Sequence, residues 1–257
     1  MNILHAVIFG IVEGVTEFLP ISSTGHLILT GKLLGLPSSE FLKSFEIVIQ
    51  LGAILAVVVS YSKSLLAKPE VWKKVLAAFI PTAILGLAVY KIVKKVFLGN
   101  EQVVLWALFL GGILLIIFDR IYREGPDAED DIARMPYKTA ILIGCVQSLA
   151  LIPGVSRSAA TIIGGLILGM KKKAIVEFSF LLAIPTMLAA TALDVIKNTQ
   201  VFSSQQLPFL AVGFLTSFVV AVLSIKFLLH YIQRHGFLAF GVYRVIAPLL
   251  FWFILGK

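Results

Sequence analysis

The chain alternates long apolar runs with short polar interruptions, and the runs come in two lengths. Six are long enough to cross a bilayer as helices, which takes about 20 predominantly apolar residues. They are Phe45–Tyr61, Val75–Val93, Val103–Ile121, Ala174–Ile196, Leu207–Leu229 and Phe237–Leu255. Two further apolar stretches are broken at their centres. Ile3–Leu34 is interrupted by Glu13, Glu17, Pro20 and Ser22-Ser23-Thr24-Gly25-His26, and Lys138–Gly169 by Gln147, Pro153-Gly154 and Ser156-Arg157-Ser158. Each divides into two arms too short to span alone. Such arms predict re-entrant helix–turn–helix hairpins, which are tolerated at membrane depth only against protein or a water-filled cavity.

The two halves echo each other. Phe18-Leu19-Pro20-Ile21-Ser22-Ser23 corresponds to Leu151-Ile152-Pro153-Gly154-Val155-Ser156, and Lys43-Ser44-Phe45-Glu46-Ile47 more loosely to Lys173-Ala174-Ile175-Val176-Glu177. Paired interruptions at corresponding places mark internal repeats with a site near the midplane. A hairpin and three spans, repeated, turns the second half upside down relative to the first. The expected fold is therefore an all-α integral membrane protein. It has about six transmembrane helices and two re-entrant hairpins in an inverted-topology repeat. One membrane domain covers residues 1–257, with repeat 1 over about 1–121, repeat 2 over about 138–257 and a polar connecting loop at 122–137.

Composition agrees. The 257 residues are 59% hydrophobic and 14% charged, against about 45–50% and 25% in soluble domains. That excludes a soluble or disordered chain. A net charge of +8 would suggest nucleic acid in a soluble protein; here it reads as positive-inside loops, with no nucleic-acid partner. The face carrying Lys63, Lys68, Lys73, Lys74, Arg120, Arg123, Arg134, Lys138, Lys171, Lys172, Lys173, Lys226 and Arg234 is richer in cations than the face carrying Lys32, Lys43, Lys91, Lys94, Lys95, Lys197 and Lys257. The richer face is expected to be cytoplasmic, with both termini and the first hairpin mouth outside. Met1–Val12 lacks the basic start and cleavage site of a removable signal. Cys145 is the single cysteine, which excludes an internal disulfide or a Cys-based zinc site. Gly111-Gly112 and Gly164-Gly165 suit close helix contact, either within the chain or across a homodimer.

The hairpin centres hold residues that insertion into a bilayer disfavours. Glu13 and Glu17 lie four apart on one helical face, where like charges repel unless a cation or shared proton joins them. The pair suits Mg²⁺ or Ca²⁺, which take oxygen ligands and share them with phosphates. Pro20 ends the first arm. Ser22 or Ser23 then caps a helix from Thr24 to Leu34, whose positive end binds anions. Ser23 and His26 are three apart, a nucleophile–base spacing. In the second hairpin Pro153 ends an arm, Ser156 caps the next helix and Arg157 opens it. An Arg at a positive helix end points to an anion large enough to need dipole and guanidinium together. Ser158 and Thr161 add hydroxyls. Ser22, Thr24, Ser156, Arg157, Ser158 and Thr161 are the candidate substrate contacts. Two helix N-termini, an Arg, a His, hydroxyls and two carboxylates in an apolar setting suit a lipid-borne diphosphate with a divalent cation.

At these residues the sequence resembles a known family. Glu13-Gly14-Val15-Thr16-Glu17-Phe18-Leu19-Pro20-Ile21-Ser22-Ser23-Thr24-Gly25-His26 is similar to the first motif of the bacterial undecaprenyl-diphosphate phosphatases of the bacitracin-resistance type. Pro153-Gly154-Val155-Ser156-Arg157-Ser158-Ala159-Ala160-Thr161 is similar to the second, and Phe45–Gly52 to a further family stretch. The resemblance implies hydrolysis of undecaprenyl diphosphate to undecaprenyl phosphate and inorganic phosphate. That reaction recycles the lipid carrier of cell-wall synthesis at the bacterial inner membrane and gives bacitracin resistance. It also implies divalent-cation dependence, a polyprenyl diphosphate lipid partner within membrane lipid, and activity that depends on Glu13, Glu17, Ser23, His26 and Arg157. The expected catalytic set is Ser23, His26, Glu17 and Arg157, with Glu13 and Glu17 on the metal. Two chemistries stay open: attack by Ser23 with His26 as base, or direct attack by water. A flippase of an anionic polyprenyl phosphate lipid is the rival class, since inverted repeats and broken helices also suit transport.

Overall fold

The computed structural model describes residues 1–63, 68–92, 100–198, 200, 203 and 205–255. Val93, Lys94, Lys95 and Lys257 lie outside the described residues. In chain order the helices are α1 (Ile3–Thr16), α2 (Ser23–Leu33), α3 (Glu40–Tyr61), α4 (Pro69–Ile92), α5 (Glu101–Ile121), α6 (Tyr137–Gln147), α7 (Arg157–Ile167), α8 (Lys172–Lys197), α9 (Leu207–Arg234) and α10 (Leu238–Leu255). A 3₁₀ turn over Ser148–Leu151 extends α6. Side chains cap several starts and satisfy N–H groups that have no helical partner. Asn2 accepts from His5 N, Ser39 from Leu42 N, and Asn100 from Gln102 N and Val103 N.

Five of these helices, α3, α4, α5, α8 and α9, are long and apolar enough to cross a membrane. Their outward faces carry residues such as Leu110, Leu114, Ile117, Val219, Leu223 and Phe227. In water that would be a costly apolar surface; in a bilayer it is a lipid-facing band. The chain is a multi-pass membrane protein by this measure. Five of the six expected runs fall in these helices; the sixth, Phe237–Leu255, forms the shorter α10, which is not among the five, and the runs began α3 and α8 late. α3 begins at Glu40 and α8 at Lys172, and α9 continues to Arg234, because polar first and last turns remain helical once they are capped or reach the interface.

Packing follows an exchange pattern. α1 lies along α9 and α6 along α4; α3 packs on α9 and α8 on α4; α3 also packs on α8, and α5 on α10. The close approaches use glycine in both halves. A Cβ on Gly14 would lie 2.7 Å from the Ser217 carbonyl of α9, and one on Gly144 would strike the Ala78 carbonyl of α4. Gly112 packs against Gly241 and Arg244, Gly164 against Val146 and Gly165 against Ile175, so both glycine pairs are used inside the chain. α2 ends beside the start of α5, where Lys32 pairs with Glu101 at 2.6 Å. α7 ends beside the loop that follows α5. There Glu129 N donates to Gly169 O and Lys171 N to Glu129 O, each at 2.9 Å. The polar connection at 122–137 is thus pinned to the second hairpin arm.

Candidate active site

Both interrupted stretches form a helix, a tight turn and a second helix, and their turns meet in the interior. Ser158 Oγ, at the start of α7, donates to the Phe18 carbonyl in the first turn at 2.7 Å. Pro153 holds Ile152 extended and ends the second arm at Leu151, whereas α1 already ends at Thr16 and Pro20 keeps the turn that follows it from becoming helix. Ser22, not Ser23, caps α2, and its Oγ accepts from Gly25 N at 3.4 Å. Its φ of 72° makes it the one non-glycine residue with positive φ among those described. That backbone costs on the order of 1–3 kcal/mol and is held by its surroundings. At the second tip Gly154 takes φ 94°, and a Cβ there would lie 2.6 Å from the Val104 carbonyl of α5. Ser156 caps α7 by accepting from Ala159 N at 3.1 Å.

The polar centre is a buried chain of hydrogen bonds across the two turns. Glu17, just past α1, accepts from Ser23 Oγ on Oε2 at 2.5 Å and from Arg157 Nη2 on Oε1 at 3.0 Å. The Glu17 and Arg157 side chains are 3% and 8% exposed. Arg157 Nη1 donates to the Ser179 carbonyl of α8 at 2.7 Å and to Ser179 Oγ at 3.3 Å, while its Nε has no partner among the described residues. Thr161 Oγ1 lies 2.6 Å from Ser179 Oγ and also bonds the Arg157 and Ser158 carbonyls. Ser158 and Thr161 are therefore committed to protein partners and brace Arg157 and the first turn. Thr24 is half-buried at the start of α2.

His26 lies one turn along α2 from Ser23, as the spacing implied, but the two are not hydrogen-bonded. Its Nδ1 contacts the Ser22 carbonyl at 2.7 Å and its Nε2 the Tyr243 hydroxyl at 2.7 Å. The hydroxyl of Ser23 is directed to Glu17 instead. Glu13, one turn before Glu17 on α1, is fully buried, and among the described residues neither of its carboxylate oxygens accepts a hydrogen bond from a donor group. A buried unpaired carboxylate is costly, and either a cation or a proton shared with Glu17 would relieve it. Among the described residues no group of three or more His, Cys, Asp or Glu could hold a metal. Glu13 has both oxygens open among the described residues of this centre, with Glu17 beside it and already engaged. That set suits a cation that takes its remaining ligands from a phosphate and water.

Three residues of the centre escaped sequence reasoning. Arg244, in the middle of α10, is 2% exposed. It donates to the Pro20 carbonyl at 3.2 Å, the Gly154 and Ala107 carbonyls at 3.1 Å and the Leu108 carbonyl at 3.4 Å. One guanidinium thereby holds both hairpin turns to α5. An arginine inside an apolar span was the available signal. Tyr243 sat next to that signal. Ser179 carried none, since a lone serine in a span is unremarkable. Gln50 on α3 is buried.

Comparison with known proteins decides the family. The family model described as "Bacitracin resistance protein BacA" matches residues 6–250. The chain belongs to the BacA family. Curated relatives share nearly their whole length with it. An undecaprenyl-diphosphatase of Aquifex aeolicus is 51% identical over 96% of both chains. Those of Persephonella marina and Wolinella succinogenes are 49% and 47% identical over 98% and 99% of both chains. The first family motif, Glu13–His26, is the stretch that supplies Glu13, Glu17, Ser23 and His26 to this centre.

Proposed function

We propose that this BacA-family chain is an undecaprenyl-diphosphate phosphatase of the bacterial inner membrane. It releases inorganic phosphate from the lipid-borne diphosphate and returns undecaprenyl phosphate to cell-wall synthesis, which accounts for bacitracin resistance. The observation that carries this reading is the buried Ser23–Glu17–Arg157 chain, which joins a hydroxyl nucleophile, a carboxylate and a phosphate-binding cation between two helix N-termini. The exchange of packing partners between α1–α5 and α6–α10 supports an inverted repeat over about 1–121 and 138–257. In that arrangement α1–α2 and α6–α7 are re-entrant hairpins, and α3, α4, α5, α8, α9 and α10 are six spans.

Glu17 orients the Ser23 hydroxyl and takes its proton as Ser23 Oγ attacks the terminal phosphorus. The bond from that phosphorus to the bridging oxygen breaks, and undecaprenyl phosphate leaves. Water then attacks the same phosphorus with His26 taking its proton, the bond from phosphorus to Ser23 Oγ breaks, Glu17 returns its proton to Oγ, and inorganic phosphate leaves. Arg157 and the N-termini of α2 and α7, with Ser22, Thr24 and Ser156 at those ends, hold the diphosphate and stabilise its developing charge. Glu13 and Glu17 would hold Mg²⁺ or Ca²⁺, which when bound neutralises charge on the phosphate oxygens. Phosphate release from undecaprenyl diphosphate by purified protein in detergent tests the assignment. Release is expected with Mg²⁺ or Ca²⁺, and loss of release with chelator and in Glu17→Ala and Arg157→Ala. Folded protein that moves lipid across sealed vesicles without releasing phosphate would favour the flippase instead.

A further inference from the structure

Tyr243 lies 217 positions from His26 in the sequence, yet its hydroxyl sits 2.7 Å from His26 Nε2. The two rings are nearly parallel, 11° apart, with centroids 5.5 Å from one another. The other ring nitrogen, Nδ1, contacts the Ser22 carbonyl at 2.7 Å. A carbonyl only accepts, so Nδ1 carries the ring hydrogen. In the neutral imidazole the lone pair is then on Nε2, and the Tyr243 phenol donates to it. When Nε2 takes up a proton it becomes a donor, and the phenol oxygen must accept. Tyrosine can do both, whereas a carbonyl or an ammonium can do only one.

The surroundings hold this geometry. Ser22 is fixed by its positive φ and its cap bond to Gly25. Arg244, the residue after Tyr243, is anchored by carbonyls of both turns and of α5. The backbone that presents Tyr243, itself 44% exposed, is thereby tied to both hairpin tips.

We propose that Tyr243 is a positioning residue for the phosphatase reaction. With the Ser22 carbonyl it holds His26 as the Nδ1–H tautomer. Proton uptake is thereby confined to Nε2 and coupled to reversal of the Tyr243 hydrogen bond. The hydrogen that Nε2 gains is the one the phenol had donated, while the phenol oxygen takes a proton from water in the same step; the reverse transfer restores the neutral pair, so the phenol ends each step neutral and has only changed from donor to acceptor. The proposal rests on the acid–base role assigned to His26 above.

Two measurements on full-length protein in detergent test it. The first is ¹⁵N NMR of histidine-labelled protein, which reports tautomer directly. Tyr243→Phe keeps the ring, removes the hydroxyl and is expected to release His26 from the pure Nδ1–H signature. The second is steady-state phosphate release. Tyr243→Phe is expected to lower kcat about tenfold with KM within about twofold, a share of the 10²–10⁴-fold that acid–base catalysis supplies. In a His26→Ala background the same change is expected to cost nothing further. An unchanged His26 nitrogen signature, an unchanged kcat, or an equal loss in both backgrounds would overturn the proposal. A fully active His26→Ala enzyme would overturn the acid–base reading and this proposal with it. An impaired His26→Ala enzyme beside an unaffected Tyr243→Phe enzyme would overturn the proposal alone.

Discussion

Replacing Arg157 with Met removes a cation from a nearly closed site while keeping most of the side-chain volume. Three hydrogen bonds go: one to Glu17 Oε1 at 3.0 Å and two to Ser179 at 2.7 and 3.3 Å. Glu17 is left as a buried carboxylate whose remaining partner is the Ser23 hydroxyl. At 3% and 8% exposure the pair has little solvent to screen it. Removing one partner of such a pair costs about 3–5 kcal/mol, because the survivor stays charged and desolvated. In a chain of this length that is a fall in Tm on the order of 10 °C. Adding Glu17→Gln removes the stranded charge, and the double variant is expected to recover at least half of the loss. Phosphate release should be absent in both, which separates stability from catalysis. Thermal unfolding in detergent, followed by tryptophan fluorescence, reads the first quantity, and phosphate release reads the second. A single variant that melts within about 1 °C of the parent, or a double variant less stable than the single, would refute a buried Glu17–Arg157 pair as the clasp between the turns.

Arg244→Met is expected to destabilise at least as much as Arg157→Met. It strips the Pro20 and Gly154 carbonyls of their shared donor, and each buried acceptor left unsatisfied costs about 1–3 kcal/mol; Tm and monodispersity in detergent check this. Ser22→Gly should be more stable than Ser22→Ala by at least about 1 kcal/mol. Glycine accepts the positive φ without a Cβ and caps a helix almost as well as serine; melting the two variants side by side decides it. Gly144→Val should abolish folded protein, because its side chain meets the Ala78 carbonyl of α4. Gly125→Val, where nothing lies within 4 Å of an added Cβ, should stay within about 0.5 kcal/mol of the parent. Yields of folded protein report the contrast.

Much of the architecture was legible along the chain because it depends on neighbours in sequence. Run length picked out the five long helices, while the sixth run, Phe237–Leu255, became the shorter α10, and Pro20 and Pro153 lie just past the ends of the short arms. Ser156 announced the cap of α7. Glu13, Glu17, Ser23, His26 and Arg157 stood out because each is expensive at membrane depth or sits at a helix end, and all were readable before any packing was known. What the chain order could not show was which of these groups meet. Ser23 and His26 share a helix face at the right spacing, yet the Ser23 hydroxyl turns to Glu17 and the imidazole to Tyr243. That choice depends on where α1 and α10 lie relative to α2. Helix periodicity sets the side on which a residue points, but a hydrogen bond needs placement to a few tenths of an ångström. Here that placement comes from glycine contacts between helices and from one arginine that ties Pro20, Gly154 and α5 together across more than 200 residues of chain.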